Sequence, residues 1–368
     1  MNKKISIFSF FSGIGILDLA FENNNYDIVF VNEYDKDFLD AYKYARKTIN
    51  IKSPKYGYHN NSIETYTQLT EMHLLNDMIE KERKKGRLVG FIGGPPCPDF
   101  SIAGKNAGVN GENGRLTKIY FDIICEFKPD FFLFENVKGL IKTEKHRIFL
   151  NNMIDKIKAN GYNVFENIVN ALSYGVPQSR ERVFLVGMNN KYFANKKENF
   201  FFDWYKYSVF NASDVLKLNW PTEQPFLADS DRPFLSSETP KELTVEYWFQ
   251  KNDVNNHQNS KDVFKVKKGY SKISSIPEGD TSRKSFKRLH RWRFSPTAAY
   301  GNNEVHLHPY KERRLSVAEA MAIQSLPKEF VVLPTLSLSK KFKTIGNGVP
   351  YLMAYSIAKT LKDYLNTI

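Results

Sequence analysis

Residues 5 to 15 read ISIFSFFSGIG. Ile5 to Phe11 has only Ser6 and Ser9 as polar residues and predicts a buried strand. Ser12-Gly13-Ile14-Gly15 closes it with a turn in which the backbone can approach a ligand beside a helix N-terminus. Working outward, short apolar runs alternate with helical periodicity through the first half of the chain, the pattern of a parallel α/β sheet. Asp27 to Asn32, Leu88 to Ile92, Asp130 to Phe134, Asn163 to Val169 and Arg182 to Gly187 supply further strands. Leu116 to Phe127 carries Ile119 with Ile123 and Tyr120 with Ile124 at helical spacing, and Cys125 falls on this helix as a core residue. Glu71 to Gly86 predicts another helix, ending in the solvated run Lys81-Glu82-Arg83-Lys84-Lys85. The fold class expected is α/β, a doubly wound, mostly parallel sheet with a smaller irregular domain.

The 368 residues suffice for one large domain or two of ordinary size. With 42% hydrophobic and 25% charged residues the chain is of the soluble globular class. Two cysteines make no disulfide framework, and seven histidines offer no Cys/His set with zinc spacing, so a reducing cytoplasm and no metal are the expectations. His306 and His308 merely alternate. Asn2-Lys3-Lys4 before the apolar run to Phe21 imitates a secretory signal, but Asp18 and Glu22 interrupt it and no small-residue cleavage site follows. No run approaches the roughly 18 apolar residues of a membrane span.

From about residue 190 regular periods fade, and they return near Arg314, dividing the chain into 1–189, a second domain at 190–310, and a return of the first at 311–368. In that return Ser316 and Glu319 form a capping box, and Met353, Ile357, Leu361 and Leu365 stripe a last helix. Net charge is +13, and residues 251–315 alone hold 15 Lys or Arg against 6 Asp or Glu. Interleaved with Phe286, Trp292 and Phe294, this segment suits a polyanion whose bases can be contacted; the plainer reading is a solvated face.

Chemistry gathers at strand ends. A nicotinamide site would want a glycine at position 18, where Asp18 stands, while Glu33 closes the second strand where ribose hydroxyls could donate to it; together these favour an adenosine-type cofactor without a dinucleotide pyrophosphate. Residues 93–101, GGPPCPDFS, follow the strand Leu88 to Ile92 and bring Cys97 to the same edge, with Pro95, Pro96 and Pro98 restricting the loop that aims its thiol. Glu135 ends the apolar run from Phe131, where burial would raise its pKa toward use as a proton donor. Arg180 and Arg182 stand at i and i+2 leading into a strand, on one face if the extended backbone begins there. Each has a bland alternative, an inert cysteine or a structural ion pair.

The ordered set FxGxG, PPC, ENV, QxRxR, RRLSVAEAMAIQSLP (313–327) and IGNGV (345–349) resembles the DNA (cytosine-5)-methyltransferases over essentially the whole chain. The resemblance implies the methyltransferase version of this fold, with 190–310 as target-recognition domain. It implies S-adenosylmethionine as methyl donor, S-adenosylhomocysteine as product, and a cytosine flipped from double-stranded DNA as substrate. By it Cys97 attacks C6 as thiolate, Glu135 meets N3 and the exocyclic amine, Arg182 with Arg180 holds the base, and Gln178 orders the loop around them. A base, water or side chain, then removes the C5 proton. Phe11, Ser12, Gly13, Ile14 and Ile16 fall on the methionine and ribose side, Glu33 on the ribose and Tyr34 on the adenine face. Ser62, Ile63, Pro95, Leu116, Asn347 and Val349 complete the cofactor set.

Departures from the family pattern are Ser62 for the usual Asp, Pro98-Asp99 after the cysteine, and Gly348 for Ala. Ala103 to Gly114, with glycines at 104, 108, 111 and 114, is the expected lid. Ser101, Lys284, Lys287 and Arg288 are candidates for DNA contact, with Arg291 or Arg293 as base readers. A transfer-RNA-modifying relative would carry Cys-Phe-Thr and a smaller recognition region; a non-catalytic paralogue would lack Cys97 or Glu135; an oxidoreductase leaves Cys97 without a role. The setting implied is a prokaryotic cytoplasm, nucleoid-associated, as a monomer, in a restriction-modification system with an independent endonuclease or as an orphan.

Overall fold

The computed structural model describes residues 3–96, 112–192, 201–265, 273–283, 285–298, 300 and 305–367. Seven strands form one sheet: β1 (Ile5–Phe10), β2 (Asp27–Asn32), β3 (Tyr58–His59), β4 (Leu88–Gly93), β5 (Phe131–Val137), β6 (Tyr162–Asn170) and β7 (Glu181–Asn189). Their order is β3-β2-β1-β4-β5-β7-β6. The first five are parallel, and β7 runs antiparallel to both β5 and β6. Because β7 is reversed, its first residues lie at the edge where the parallel strands end, with Arg182 opposite Val137. The expected strand at 130–134 is longer at its end, through Glu135-Asn136-Val137, since the β7 ladder continues along it.

The helices are α1 (Ile16–Glu22), α2 (Lys36–Thr48), α3 (Leu69–Arg83), α4 (Glu112–Phe127), α5 (Gly139–Lys142), α6 (Glu144–Ala159), α7 (Ala212–Val215), α8 (Val245–Lys251), α9 (Val317–Ile323), α10 (Leu338–Asn347) and α11 (Tyr351–Thr367). They cover both sheet faces. Ile5 and Ile7 of β1 join Phe21, Tyr42 and the α11 stripe Met353, Ile357, Leu361 and Leu365 on one face. Phe8 and Phe10 join Phe91, Tyr120, Phe121 and Leu150 on the other. Each such side chain contributes about 1.5–3 kcal/mol by leaving water, so a strand with apolar residues on both of its faces secures helices on both sides. Cys125 lies buried within the second layer.

A third core joins α8, α9 and α10 with Leu289, Ala298 and Tyr300, and reaches Ile14, Ile16 and Leu19 behind the glycine turn. Phe202 and Trp204, beyond the expected border at residue 190, pack into the first layer, where Tyr174 donates to the Trp204 carbonyl at 2.8 Å. The capping box at the start of α9 is formed as expected: Ser316 Oγ accepts from Glu319 N, and Glu319 Oε2 from Ser316 N at 2.7 Å. Among the described residues no helix is long and apolar enough to cross a membrane.

Candidate active site

The turn after β1 strings together left-handed residues, Phe11 (φ 54°), Gly13 (φ 55°) and Gly15 (φ 80°). A side chain at 11 in that region is strained and is held by its surroundings. Gly13 N donates to Glu33 Oε2 and Asp35 N to Glu33 Oε1, both at 2.8 Å, so Glu33 ties the ends of β1 and β2 together. Burial pushes the Glu33 pKa up, and these backbone N–H groups oppose the rise. Asn60 donates to the carbonyls of Glu33 and Tyr34, and the Tyr34 ring beyond them is 76% exposed, a flat face at the sheet edge. Ser12 Oγ lies 2.9 Å from Ser9 Oγ and 3.2 Å from the Asn32 carbonyl.

Beneath the turn is a buried charged group. Asp18 accepts from Ser9 Oγ (2.8 Å) and Tyr42 OH (2.9 Å), and Arg46 donates to Gly15 O (2.7 Å) while pairing with Glu22 (2.9 Å). Asp18 therefore braces the turn from within the fold, at the position where a dinucleotide motif keeps its third glycine for close packing of helix on strand. Ile14 and Ile16 are buried in the third core, supporting the turn from behind. Ser62 Oγ caps the short 3-10 turn Ile63–Thr67, accepting from Glu64 N and bonding Glu64 Oε2 at 3.1 Å; Ile63 is buried. Leu116 is half-buried against the second layer, Asn347 is exposed at the end of α10, and Val349 is buried.

On the other side of β1, β4 runs into Gly94-Pro95-Pro96 against the end of β5. A Cβ at position 94 would stand 2.8 Å from Glu135 Oε2, so only glycine allows this approach. Asn136 Nδ2 donates to Pro95 O at 3.4 Å. Glu135 is buried, and Arg182 Nε lies 3.0 Å from its Oε1. Burial pushes the Glu135 pKa up, while Arg182 and Arg180 pull against that rise. Cys97 and Ser101 lie outside the described residues, as do lid residues 103–111; Gly114, assigned to the lid from sequence, instead lies inside α4.

Arg180 does not share the Glu135 pair. It is buried and donates to the carbonyls of Ala298 (3.3 Å), Gly346 (2.8 Å) and Gly348 (3.1 Å). Gln178 is fully buried, accepting from Ala298 N at 2.9 Å and donating to Gln324 Oε1 at 3.0 Å.

The basic stretch departs most from expectation. Arg288 is fully buried, donating to the carbonyls of Ile276 (2.9 Å), His308 (2.6 Å) and Ile273 (2.7 Å) with its guanidinium over the Phe226 ring, which removes it from phosphate contact. Arg291 is 2% exposed, forked onto Glu278 at 2.8 and 3.0 Å and onto Ser230, so it does not read bases as placed. Both satisfy acceptors that irregular backbone leaves without a ladder. Lys287 and Arg293 are half-exposed, and Lys284 lies outside the described residues. His308 pairs with Glu319 at 3.4 Å and accepts from Tyr310 N and Lys311 N, an ordinary buried histidine.

Sequence reasoning missed Gly94, Asn136, Tyr42, Arg46 and Gln324. The doubled glycine before PPC was the one available sign of a close approach; the others depend on tertiary neighbours.

A family model for C-5 cytosine-specific DNA methylases matches residues 5–363. The chain belongs to this family. It is a DNA (cytosine-5)-methyltransferase. The Type II methyltransferase M.NmeDI of Neisseria meningitidis serogroup C is 52% identical over 364 residues, covering 99% of this chain and 85% of that protein. The Type II methyltransferase M.FnuDI of Fusobacterium nucleatum is 30% identical over 369 residues, covering 98% and 95%. The crystal structure of a putative DNA modification methyltransferase encoded within an E. coli prophage superposes with a TM-score of 0.68 at 23% identity, covering 99% of this methyltransferase and all of that chain. S. pombe Dnmt2 follows at 0.62 and 13%, covering 98% and 99%. These two structures share the fold.

Proposed function

We propose that the chain moves a methyl group from S-adenosylmethionine to C5 of a cytosine rotated out of a specific double-stranded DNA sequence, through a covalent bond between Cys97 and C6. The observation that carries this reading is the approach of Gly94 to Glu135. It sets the loop that continues to Cys97 against a buried carboxylate already oriented by Arg182.

The residues present fit the methyl donor. The position a Cβ would take on Gly13 meets nothing within 4 Å, leaving open space over the turn, with the Glu33 carboxylate and the exposed Tyr34 ring beside it. Glu33 would accept from ribose hydroxyls and Tyr34 would lie on the adenine, with Phe11, Ser12, Pro95, Leu116, Asn347 and Val349 around them. Ser62, whose hydroxyl is engaged with Glu64, supports the adenine end through Ile63. Bound S-adenosylmethionine supplies an electrophilic methyl group and leaves as S-adenosylhomocysteine.

The residues of this chain do the rest. Rotating the base out exposes C6 and C5 at a cost of a few kcal/mol. The Cys97 thiolate adds to C6, and the electrons of the C5–C6 double bond move to C5 and toward N3. Glu135, its carboxyl pKa raised by burial, donates a proton toward N3 and accepts from the exocyclic amine. Arg182 keeps Glu135 in place and donates to the base. Once C5 carries the methyl group, a base removes the C5 proton, the C5–C6 double bond re-forms, N3 returns its proton to Glu135 and Cys97 leaves as thiolate. Lys287 and Arg293, half-exposed in the recognition segment, supply phosphate and base contacts. By analogy with its Type II relatives, the enzyme protects DNA in a restriction-modification system. Bisulfite sequencing of host DNA with and without the gene tests the reading: 5-methylcytosine in one sequence context is expected, and no gene-dependent context would refute it.

A further inference from the structure

Four segments far apart in sequence meet behind the candidate active site, and two buried amide side chains and one guanidinium join them. Ala298, on the way out of the recognition segment, gives its N–H to Gln178 Oε1 (2.9 Å) and receives Arg180 on its carbonyl (3.3 Å). The turn around Asn347 has its carbonyls held in the same way: Ile345 by Gln324 Nε2 (2.7 Å), Gly346 and Gly348 by Arg180 (2.8 and 3.1 Å). Gln178 Nε2 closes the circuit on Gln324 Oε1 (3.0 Å). The two backbones also touch, because a Cβ at Gly346 would lie 2.8 Å from Tyr300 N and 3.0 Å from Ala298 O. Gln178, Arg180 and Gln324 are all buried, so these bonds face no competition from water.

We propose that Gln324 is a positioning residue which, with Gln178 and Arg180, couples the recognition segment to the cofactor site by holding residues 295–298 and the turn 345–349 as one body. The inference rests on the reading of Asn347 and Val349 as cofactor contacts. The segment is further pinned by Ser179 N to Ser295 O and Ser295 N to Pro177 O, both at 2.9 Å, and by Thr297 Oγ1 to Ser179 O at 2.8 Å. A DNA-induced shift of 295–298 therefore reaches residues 346–348 through Ala298, without passing through Cys97 or Glu135. DNA and methyl donor then bind with positive, reciprocal coupling.

The test measures S-adenosylhomocysteine affinity with and without unmethylated plasmid DNA, in wild type, Gln324→Met and Arg180→Lys. Met keeps the volume of Gln324 and removes both of its hydrogen bonds; Lys keeps the charge near Glu135 and loses the fork. DNA is expected to tighten wild-type binding about 5-fold or more, and both variants to reduce this to about 2-fold or less. In steady state, Gln324→Met should raise KM for S-adenosylmethionine about 10-fold and lower kcat less than 3-fold. Thermal unfolding identifies a variant that has failed to fold, and the other then carries the test. Coupling of equal size in wild type and a folded variant overturns the inference, as does wild-type binding that DNA leaves unchanged. If wild type binds no S-adenosylhomocysteine in either condition, the cofactor reading itself has failed.

Discussion

At the carboxyl edge of the sheet Glu135 and Arg182 stand where the strands send them; in the basic stretch 282–294 Arg288 and Arg291 do not. Glu135 and Arg182 meet because β7 is reversed against β5 and the ladder leaves little freedom. Arg288 and Arg291 sit in chain held by isolated bridges, where a guanidinium is the readiest donor for carbonyls without partners, and both turn inward. A count of positive charge does not separate an arginine that supports a loop from one that meets a phosphate.

The contrast breaks first on Glu135. Glu135→Gln preserves shape and removes the acid, and should lower kcat about 10²–10⁴-fold with cofactor affinity little changed. Rapid-quench methylation alongside S-adenosylhomocysteine binding checks this, and a loss confined to binding would move Glu135 out of the chemistry. Second, Arg291→Ala leaves Glu278 buried with the backbone N–H of residue 291 and the more distant Arg232 (3.8 Å) in place of the fork, and should cost about 3–5 kcal/mol in denaturant unfolding. Arg293→Ala should leave stability within about 0.5 kcal/mol yet weaken DNA binding and relax site preference. If the two variants behave alike, the inward and outward arginines have been wrongly distinguished.

Acid response sharpens the same comparison. Burial, partly offset by Arg46, lifts the Glu22 pKa from 4.5 to about 7. A folded-state pKa above the unfolded one contributes stability in acid that is lost as pH rises through that interval. Glu319 behaves oppositely: burial opposes ionisation, but His308 and Arg313 outweigh it, so its contribution is present above the ordinary carboxylate range and is lost on acidification. Glu22→Gln should therefore flatten the fall in stability between pH 4.5 and 7, while Glu319→Gln should remove part of the acid-induced loss below pH 4.5. Unfolding midpoints measured across pH 3–8 report both. The smallest effect concerns Gly348→Ala, whose Cβ would meet Ile16 Cδ1 at 2.5 Å. It should cost about 1–2 kcal/mol in thermal melts and be relieved by Ile16→Val.

The strands, the capping box at Ser316 and the α11 stripe were legible because period and cap chemistry are local. Glu135 and Arg182 could be named, though their pairing depended on the reversal of β7, which no local pattern announces. Border placement was weaker: Phe202 and Trp204 follow the loosening of periodicity yet fill the sheet's first layer. Arg288, Arg291 and Gln324 were misread or missed for one reason, that their partners, backbone carbonyls together with the Glu278 and Gln178 side chains, are brought near only by tertiary folding. The Asp18, Tyr42 and Arg46 group under the glycine turn was hidden likewise, beyond the sign that Asp18 excludes a third glycine.

The central claim is a bond between Cys97 and the target cytosine. Incubating the enzyme with S-adenosylmethionine and a duplex carrying 5-fluorocytosine in the methylated context blocks the final proton removal. The account predicts a denaturation-resistant complex whose peptide mass maps the nucleotide to Cys97, absent in Cys97→Ser. An active preparation that yields no such adduct, or one attached at Cys125, would contradict it.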